Sequence, residues 1–338
     1  MTLDTIERRL EALHAQSRVA AGSLIVSVFG DAVLPRGGSV WLGSLIGLLD
    51  VLGINERLVR TSVFRLVKEE WLQTEAHGRR ANYQLTVTGR RRFEDASRHI
   101  YSACAPEWDH RWRLVSTLGD VDMRTREALR RSMVWQGFGE LAAGLFVHPS
   151  ADLAMCLDAL KSDGLADVLP RLIPLMATNP GVATAATDLD VVRKAWDLES
   201  LARGYSGFLT QYQPLLAELR ARRSSRLDGQ NAFLARTLMI HDFRRLLLRD
   251  PELPAVLLPK GWPGQQARDV CGDLYRRLLS ASEAYLDLHL QLASGDVPAA
   301  SPEVALRFAR NQCFEKLPVC GDYAGRYVRK SCSGPIVK

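Results

Sequence analysis

The chain has 338 residues, 47% hydrophobic and 24% charged, with a formal net charge of +6, a soluble globular composition long enough for two or three domains. Its longest uncharged stretch, residues 172–187, holds Pro174, Pro180 and Gly181. That is shorter than the ~18 apolar residues of a membrane-spanning helix, so no membrane partner is expected. The first thirty residues are charged and amphipathic without a secretory apolar core, which predicts a cytoplasmic protein. The six cysteines (Cys104, Cys156, Cys271, Cys313, Cys320 and Cys332) form no C-x-x-C pair. Neither a zinc site nor a redox motif is signalled, and no cofactor or metal is expected.

The charge is concentrated. Residues 57–98 contain ten basic and five acidic side chains, while the rest of the chain is close to neutral. A local basic field suits a polyanion, because Lys and Arg displace condensed counterions from phosphate. Charge alone is equally the mark of a solvated surface, so the residues inside that window decide.

In chain order, residues 23–29 read as an apolar helix, Pro35-Arg-Gly-Gly38 as a loop, and residues 40–49 as a second helix with Trp41, Leu45, Leu48 and Leu49 inward. Gly53 supplies a turn, and Asn55 is placed to cap a third helix, Glu56 to Lys68. On that helix Val59, Val63 and Leu66 share one stripe. Arg57, Thr61, Phe64 and Lys68 lie opposite, with Arg60 and Arg65 on the flanks. An ordinary amphipathic surface helix has the same pattern, but two short strands follow, residues 71–76 and 81–85. His77-Gly-Arg-Arg80 turns between them with two arginines at its tip. Helix, turn, basic helix and arginine-tipped hairpin in this order predict a winged helix-turn-helix. Arg57, Arg60, Thr61, Ser62 and Arg65 are expected in the major groove of double-stranded DNA, with Arg79 and Arg80 holding the wing.

Residues 111–118 and 141–147 read as strands, residues 124–135 and 152–161 as helices, and residues 168–177, broken by Pro170 and Pro174, as at best an edge strand. This β-α-β-(β)-α-β order suggests a ferredoxin-like α+β domain. From Asp190 the chain reads as helical, with long amphipathic stretches over 194–223, 231–249 and 266–292 separated by loops rich in Pro and Gly. Residues 311–338 carry three cysteines and no periodicity, and are expected to be a poorly ordered tail. The whole is an α+β multidomain chain, with expected domains 1–106, 107–189 and 190–310 followed by the tail 311–338.

Several long motifs resemble the PaaX family, the transcriptional repressors of phenylacetate degradation. They are Asp31-Ala-Val-Leu-Pro-Arg-Gly-Gly38, Trp41-Leu-Gly-Ser-Leu-Ile46, residues 53–66, Gly78-Arg-Arg80, Trp135-Gln-Gly-Phe-Gly139, Val147-His-Pro149, Ala195-Trp-Asp-Leu198 and residues 240–251. The resemblance covers about residues 18 to 290. It implies a winged-helix N-terminal domain, a ferredoxin-like middle domain used for dimerisation, a helical C-terminal domain, and phenylacetyl-coenzyme A as the effector that releases the operator.

An acyl-coenzyme A effector is anionic at one end and aromatic at the other, so its site needs cations and an apolar slot. Tyr205, His241, Arg244, Arg245 and Trp262 are the candidates, Arg244 and Arg245 for the phosphates through forked hydrogen bonds. The same arginines serve equally well as interdomain ion pairs, and aromatics on helices, Trp196 and Tyr212 included, are more often core than ligand box. His148, ahead of Pro149, reads as structural. Two alternatives stand beside the repressor reading. One is a winged-helix repressor answering to a different acyl-coenzyme A; the other is a metal-dependent nuclease using Asp120 and Asp122. Two aspartates before a helix more simply cap it, and no nucleophile elbow, P-loop or dinucleotide fingerprint is present, so no enzymatic activity is expected.

Overall fold

The computed structural model describes residues 6–8, 11, 20–102, 106–182, 185–221 and 227–309. Among the described residues the chain is α+β, with two separate small antiparallel sheets. It divides into two compact units. Among the described residues the first holds those up to 102 together with 209–221, 227–244 and 268–309, and the second holds 106–182, 185–208 and 245–267. The expected tail, 311–338, lies outside the described residues.

In the first unit, α1 (Ala20–Val28) runs into a π-helical turn, Phe29–Val33, and a 3-10 turn, Leu34–Arg36. Gly37 and Gly38 then take φ of 90° and 77°, a region glycine enters without steric cost. They return the chain to β1 (Ser39–Trp41), followed by α2 (Leu42–Asp50), α3 (Glu56–Lys68), β2 (Leu72–His77), β3 (Arg80–Leu85) and α4 (Val87–Tyr101). The sheet order is β1-β3-β2. Where the hydrophobic pattern predicts one helix over 40–49, the structure begins with a strand: Val40 pairs with Tyr83 and Trp41 with Asn82. A β-branched and an aromatic residue suit a pleated edge, and the helix starts only at Leu42.

The same unit holds the larger parts of three long helices, α8 (Leu198–Ala221), α9 (Gly229–Leu247) and α10 (Pro263–His289). Residues 232–241 of α9 are all buried, as befits a helix packed on every side. At the centre of this unit sits Asp31, in the π-helical turn. Its carboxylate accepts hydrogen bonds from Tyr101 Oη (2.6 Å), Tyr275 Oη (3.1 Å), Arg236 Nε (2.7 Å) and Arg307 Nη1 (2.9 Å). Arg236 also pairs with Glu283, which Arg36 reaches from the other side at 2.5 Å.

The second unit contains β4 (Trp112–Thr117), α5 (Met123–Trp135), β5 (Gly139–Ala142), β6 (Leu145–His148), α6 (Leu153–Ser162) and β7 (Leu172–Ala177), a β-α-β-β-α-β order. The antiparallel sheet runs β5-β6-β4-β7, which leaves β7 at an edge. The reading of one strand over 141–147 becomes a hairpin, because Gly144, at φ 76°, turns the chain between Ala142 and Leu145. On one face Val115 and Phe146 meet Leu129, Met133 and Leu160 from α5 and α6. On the other, Trp112 and Val147 are covered by Val192 of α7 (Asp188–Ala195) and by Leu253 and Leu257. α7 also packs on β5, where a Cβ on Gly139 would come within 2.5 Å of the Ala195 side chain.

The expected boundary between residues 189 and 190 therefore falls inside α7, whose apolar side belongs to the sheet. The expected helical domain 190–310 is divided between the two units. A single helix over 194–223 is interrupted at Trp196–Asp197, where Trp196 turns extended and its Nε1 donates to Gly137 O at 3.0 Å.

Candidate nucleic-acid interface

Local sequence builds α3. Asn55 Oδ1 accepts the Leu58 amide at 3.0 Å, Glu56 opens the first turn, and Val59, Val63 and Leu66 are buried. The opposite side is exposed: Arg57, Arg60, Thr61, Phe64, Arg65 and Lys68. Two of its arginines are tethered along their own helix, Arg60 Nε to Glu56 at 2.7 Å and Arg65 Nε to Glu69 at 2.8 Å. Such exposed pairs are weak and exchange readily for a phosphate. Thr61 Oγ1 donates to Arg57 O at 2.8 Å. Ser62, expected among the base-reading residues, is half-buried on the side toward α1, 3.9 Å from where a Cβ on Gly22 would lie.

The hairpin β2–β3 is rooted by buried Leu72 and Leu85 and is exposed from Gln73 to Arg80. Its two-residue turn, Gly78-Arg79, has the positive φ (58°) at glycine. Arg79 stands at the tip. Arg80 sits one step down, its guanidinium 4.5 Å from the centre of the Trp41 ring, so β1 supplies a platform that orients it. Sequence reading, which placed Trp41 inside a helix, had no means of seeing that contact. α4 locks the hairpin root through Thr86, which caps Gly89 N at 2.9 Å and donates to Glu70 O at 2.6 Å. Any Cβ on Gly89 would lie 2.1 Å from Trp71 O, so this joint admits glycine alone. The result is a helix and a two-residue arginine loop presented together by one rigid base.

The effector candidates are distributed over both units. Tyr205, Arg245 and Trp262 belong to the second unit and His241 and Arg244 to the first. Tyr205 is buried, its hydroxyl donating to Asp250 and its ring set edge-on to Trp262 at 6.0 Å. Arg245 is exposed. Arg244 donates to Ser27 Oγ (3.1 Å), Ser23 O (3.0 Å) and Ser23 Oγ (2.7 Å), and His241 Nδ1 lies 3.1 Å from Ser27 Oγ. Both therefore fasten α9 to α1. A cleft of about 450 Å³ in the first unit is lined by Arg36, Leu279, Glu283, Asp287 and the 297–305 segment. None of the five candidates lines it, and its two carboxylates are both paired with Arg36.

The other singled-out residues have structural roles. Asp122 caps α5 through Thr125 N at 3.0 Å, hydrogen bonds from the Thr125 side chain and amide hold its pKa below the ordinary value, and the Asp120 carbonyl accepts from Arg171. His148 Nδ1 accepts the amides of Ser150 and Ala151 at 3.0 and 2.8 Å. Tyr212 donates to Asp242 at 2.6 Å. Among the described residues no group of three His, Cys, Asp or Glu side chains is placed to hold a metal ion, and no helix is long and apolar enough to cross a membrane.

The molecule is thus an α+β protein with a cationic helix-and-hairpin face. Three family models match it: PaaX-like protein over residues 20–89, the PaaX protein central Cas2-like domain over 105–172, and the PaaX-like protein C-terminal domain over 196–288. The transcriptional repressor PaaX of Escherichia coli (strain K12) is 37% identical over 290 residues, 86% of this chain and 90% of that protein. Among solved structures, the uncharacterized protein Rv0674 from Mycobacterium tuberculosis is 28% identical with a TM-score of 0.42, covering 72% of this chain and 89% of that one. The chain belongs to the PaaX family.

Proposed function

We propose that this protein is a cytoplasmic, non-enzymatic transcriptional repressor of phenylacetate catabolic genes, released from its operator by phenylacetyl-coenzyme A. The observation that carries the reading is the shared exposure of α3's basic side and the Arg79-tipped hairpin, in a chain 37% identical to a transcriptional repressor. In this reading α2 and α3 are a helix-turn-helix and β2–β3 its wing. A major groove about 12 Å wide admits α3, with Arg57, Arg60, Thr61 and Arg65 toward base edges and phosphates. Ser62 supports α3 from the α1 side, and Arg79 and Arg80 hold the flanking backbone.

The repressor acts as a homodimer, since one helix reads too few base pairs for a genome-scale search. The edge strand β7, which exposes Ile173, Leu175 and Met176, supports pairing through the middle domain. For the effector, the Tyr205–Trp262 pair and exposed Arg245 supply an aromatic edge and a cation within one unit. His241 and Arg244, which fasten α1, supply a route by which α9 positions α3. Induction requires the effector to bind the DNA-free state more tightly, because equal affinity shifts nothing.

Mobility shift on the gene's upstream region tests this, with phenylacetyl-coenzyme A expected to abolish the shift and free phenylacetate to leave it. Arg57→Ala is expected to cost about 1–3 kcal/mol on the operator and to relax specificity. Arg79→Ala is expected to weaken all sequences alike and reduce the salt slope by about one. Equal losses on operator and random duplex for both variants contradict the assignment. Release by another acyl-coenzyme A, with none by phenylacetyl-coenzyme A, leaves a repressor and overturns the effector.

A further inference from the structure

One side chain on the presented face of α3 has no part in the arginine-and-phosphate account. Phe64 lies in the middle of the helix and is 71% exposed, between Arg57 and Thr61 on one side and Lys68 on the other. A lone exposed aromatic is unremarkable on most surfaces. Here it stands at the centre of a cationic face, where an apolar protein partner would leave the surrounding charges desolvated.

The donors beside it are engaged within the helix: Arg60 with Glu56, Arg65 with Glu69, and the Thr61 hydroxyl with Arg57 O. Those exposed pairs are weak and yield to DNA, whereas Phe64 carries neither donor nor acceptor, so at its own position α3 offers carbon flanked by positive charge. Among base edges in the major groove the one apolar group is the C5-methyl of thymine, and phosphates lie on either side of it. We propose that Phe64 is a specificity-determining residue that covers a thymine C5-methyl in the major groove. The proposal rests on the DNA-binding reading above and adds a sequence preference that arginine contacts do not supply.

The test uses the full chain and two duplexes amplified from the gene's own upstream region, one with dTTP and one with dUTP in its place, so that they differ only in the C5-methyls. Wild-type protein is expected to bind the uracil duplex about fourfold more weakly if one methyl is covered, or about fifteenfold if two copies each cover one. Phe64→Ala is expected to bind the two duplexes equally, with its circular dichroism unchanged because the side chain is exposed. Phe64→Leu, which keeps an apolar contact, is expected to retain part of the difference.

Equal affinity of wild type for the two duplexes overturns the proposal. So does a uracil penalty that survives undiminished in Phe64→Ala, since Thr61 or a change of duplex shape would then be its source. Both outcomes leave the repressor reading intact. Failure of the thymine duplex to outcompete random DNA overturns that reading, and the role of Phe64 with it.

Discussion

The two compact units differ in what their interiors contain. Around the β5-β6-β4-β7 sheet the centre is hydrocarbon and sulfur: Val115, Leu129, Met133, Phe146 and Leu160, with the Cys156 thiol pushed up to about 11 by burial. In the unit that carries α3, an apolar core that includes Leu24, Ile25, Leu45 and Leu274 shares the interior with a fully buried carboxylate held by two guanidiniums and two phenols. Burial acts to raise the pKa of Asp31. The charges of Arg236 and Arg307, with hydrogen bonds from Tyr101 and Arg236, overcome it and hold the group below its ordinary value of 3.8. An apolar core accepts any set of side chains that fills its volume. An ionic centre accepts only partners that return each hydrogen bond, and these come from the π-helical turn, α4, α9, α10 and the segment at Arg307. The difference teaches that the unit carrying α3 adds to its apolar packing a set of directional bonds that only particular distant helices can supply.

The sharpest way to break this comparison is to remove the carboxylate. Asp31→Ala leaves Arg307 buried without the carboxylate it pairs with and Arg236 with Glu283 alone, and is expected to cost about 3–5 kcal/mol. Hydrogen exchange read by segment should show α9 and α10 losing protection while β4 and β6 keep theirs. Uniform loss across both units would show that the two centres are not independent.

Next comes Leu129→Ala in the apolar centre, expected to cost about 3 kcal/mol as a cavity, whereas Leu129→Met should cost less than about 1.5 kcal/mol. A conservative exchange at the ionic centre, Arg236→Lys, should not be tolerated in this way, because an ammonium cannot reproduce the fork. Equal tolerance at the two sites in urea unfolding would remove the distinction.

A third effect is the response to pH. Asp31 has a folded pKa below its unfolded value, so the unfolded chain binds more protons as the pH approaches 3.8. The stability it contributes is complete well above that value and is lost as the pH falls through the folded one. At the other end Tyr275, pushed up to about 12 by burial, contributes below pH 10 and loses its contribution as the pH rises toward 12. Segment-resolved exchange between pH 7 and 3 should open the α9–α10 region before the β4–β6 hydrogen bonds. The reverse order would contradict the ionic account.

The smallest effect serves as the control. Arg203 and Glu199 are separated by 3.9 Å with side chains 71% and 92% exposed, and Arg203→Ala should change stability by less than about 0.5 kcal/mol. Arg236 and Arg203 are thus the same residue type near the same kind of partner, separated in energy by burial and by the number and closeness of their carboxylates.

The sequence by itself determined those parts whose signals span a few residues. Asn55 caps α3, whose observed bounds are those its periodicity predicts, and Val59, Val63 and Leu66 are buried as their spacing requires. Gly78 turns the hairpin, and the alternation of strand and helix in the middle of the chain is legible, although the strand read over 141–147 is a hairpin. The exposure of the arginines of α3 and of the hairpin tip is legible for the same reason, since a solvent-facing residue is specified by its own helix or turn. Tertiary structure decided the rest. β1 is three residues long and is a strand only because β3 lies beside it; that pairing also places Trp41 under Arg80. Asp31 reads as one polar residue in an apolar run until Arg236, some two hundred positions away, is brought to 2.7 Å. His241 and Arg244 share a motif, yet whether they meet a ligand or α1 depends on how α9 packs. Local propensity reaches about one turn of helix or one strand pair, and a buried charge is decided by whichever distant groups can lower its free energy once water is gone.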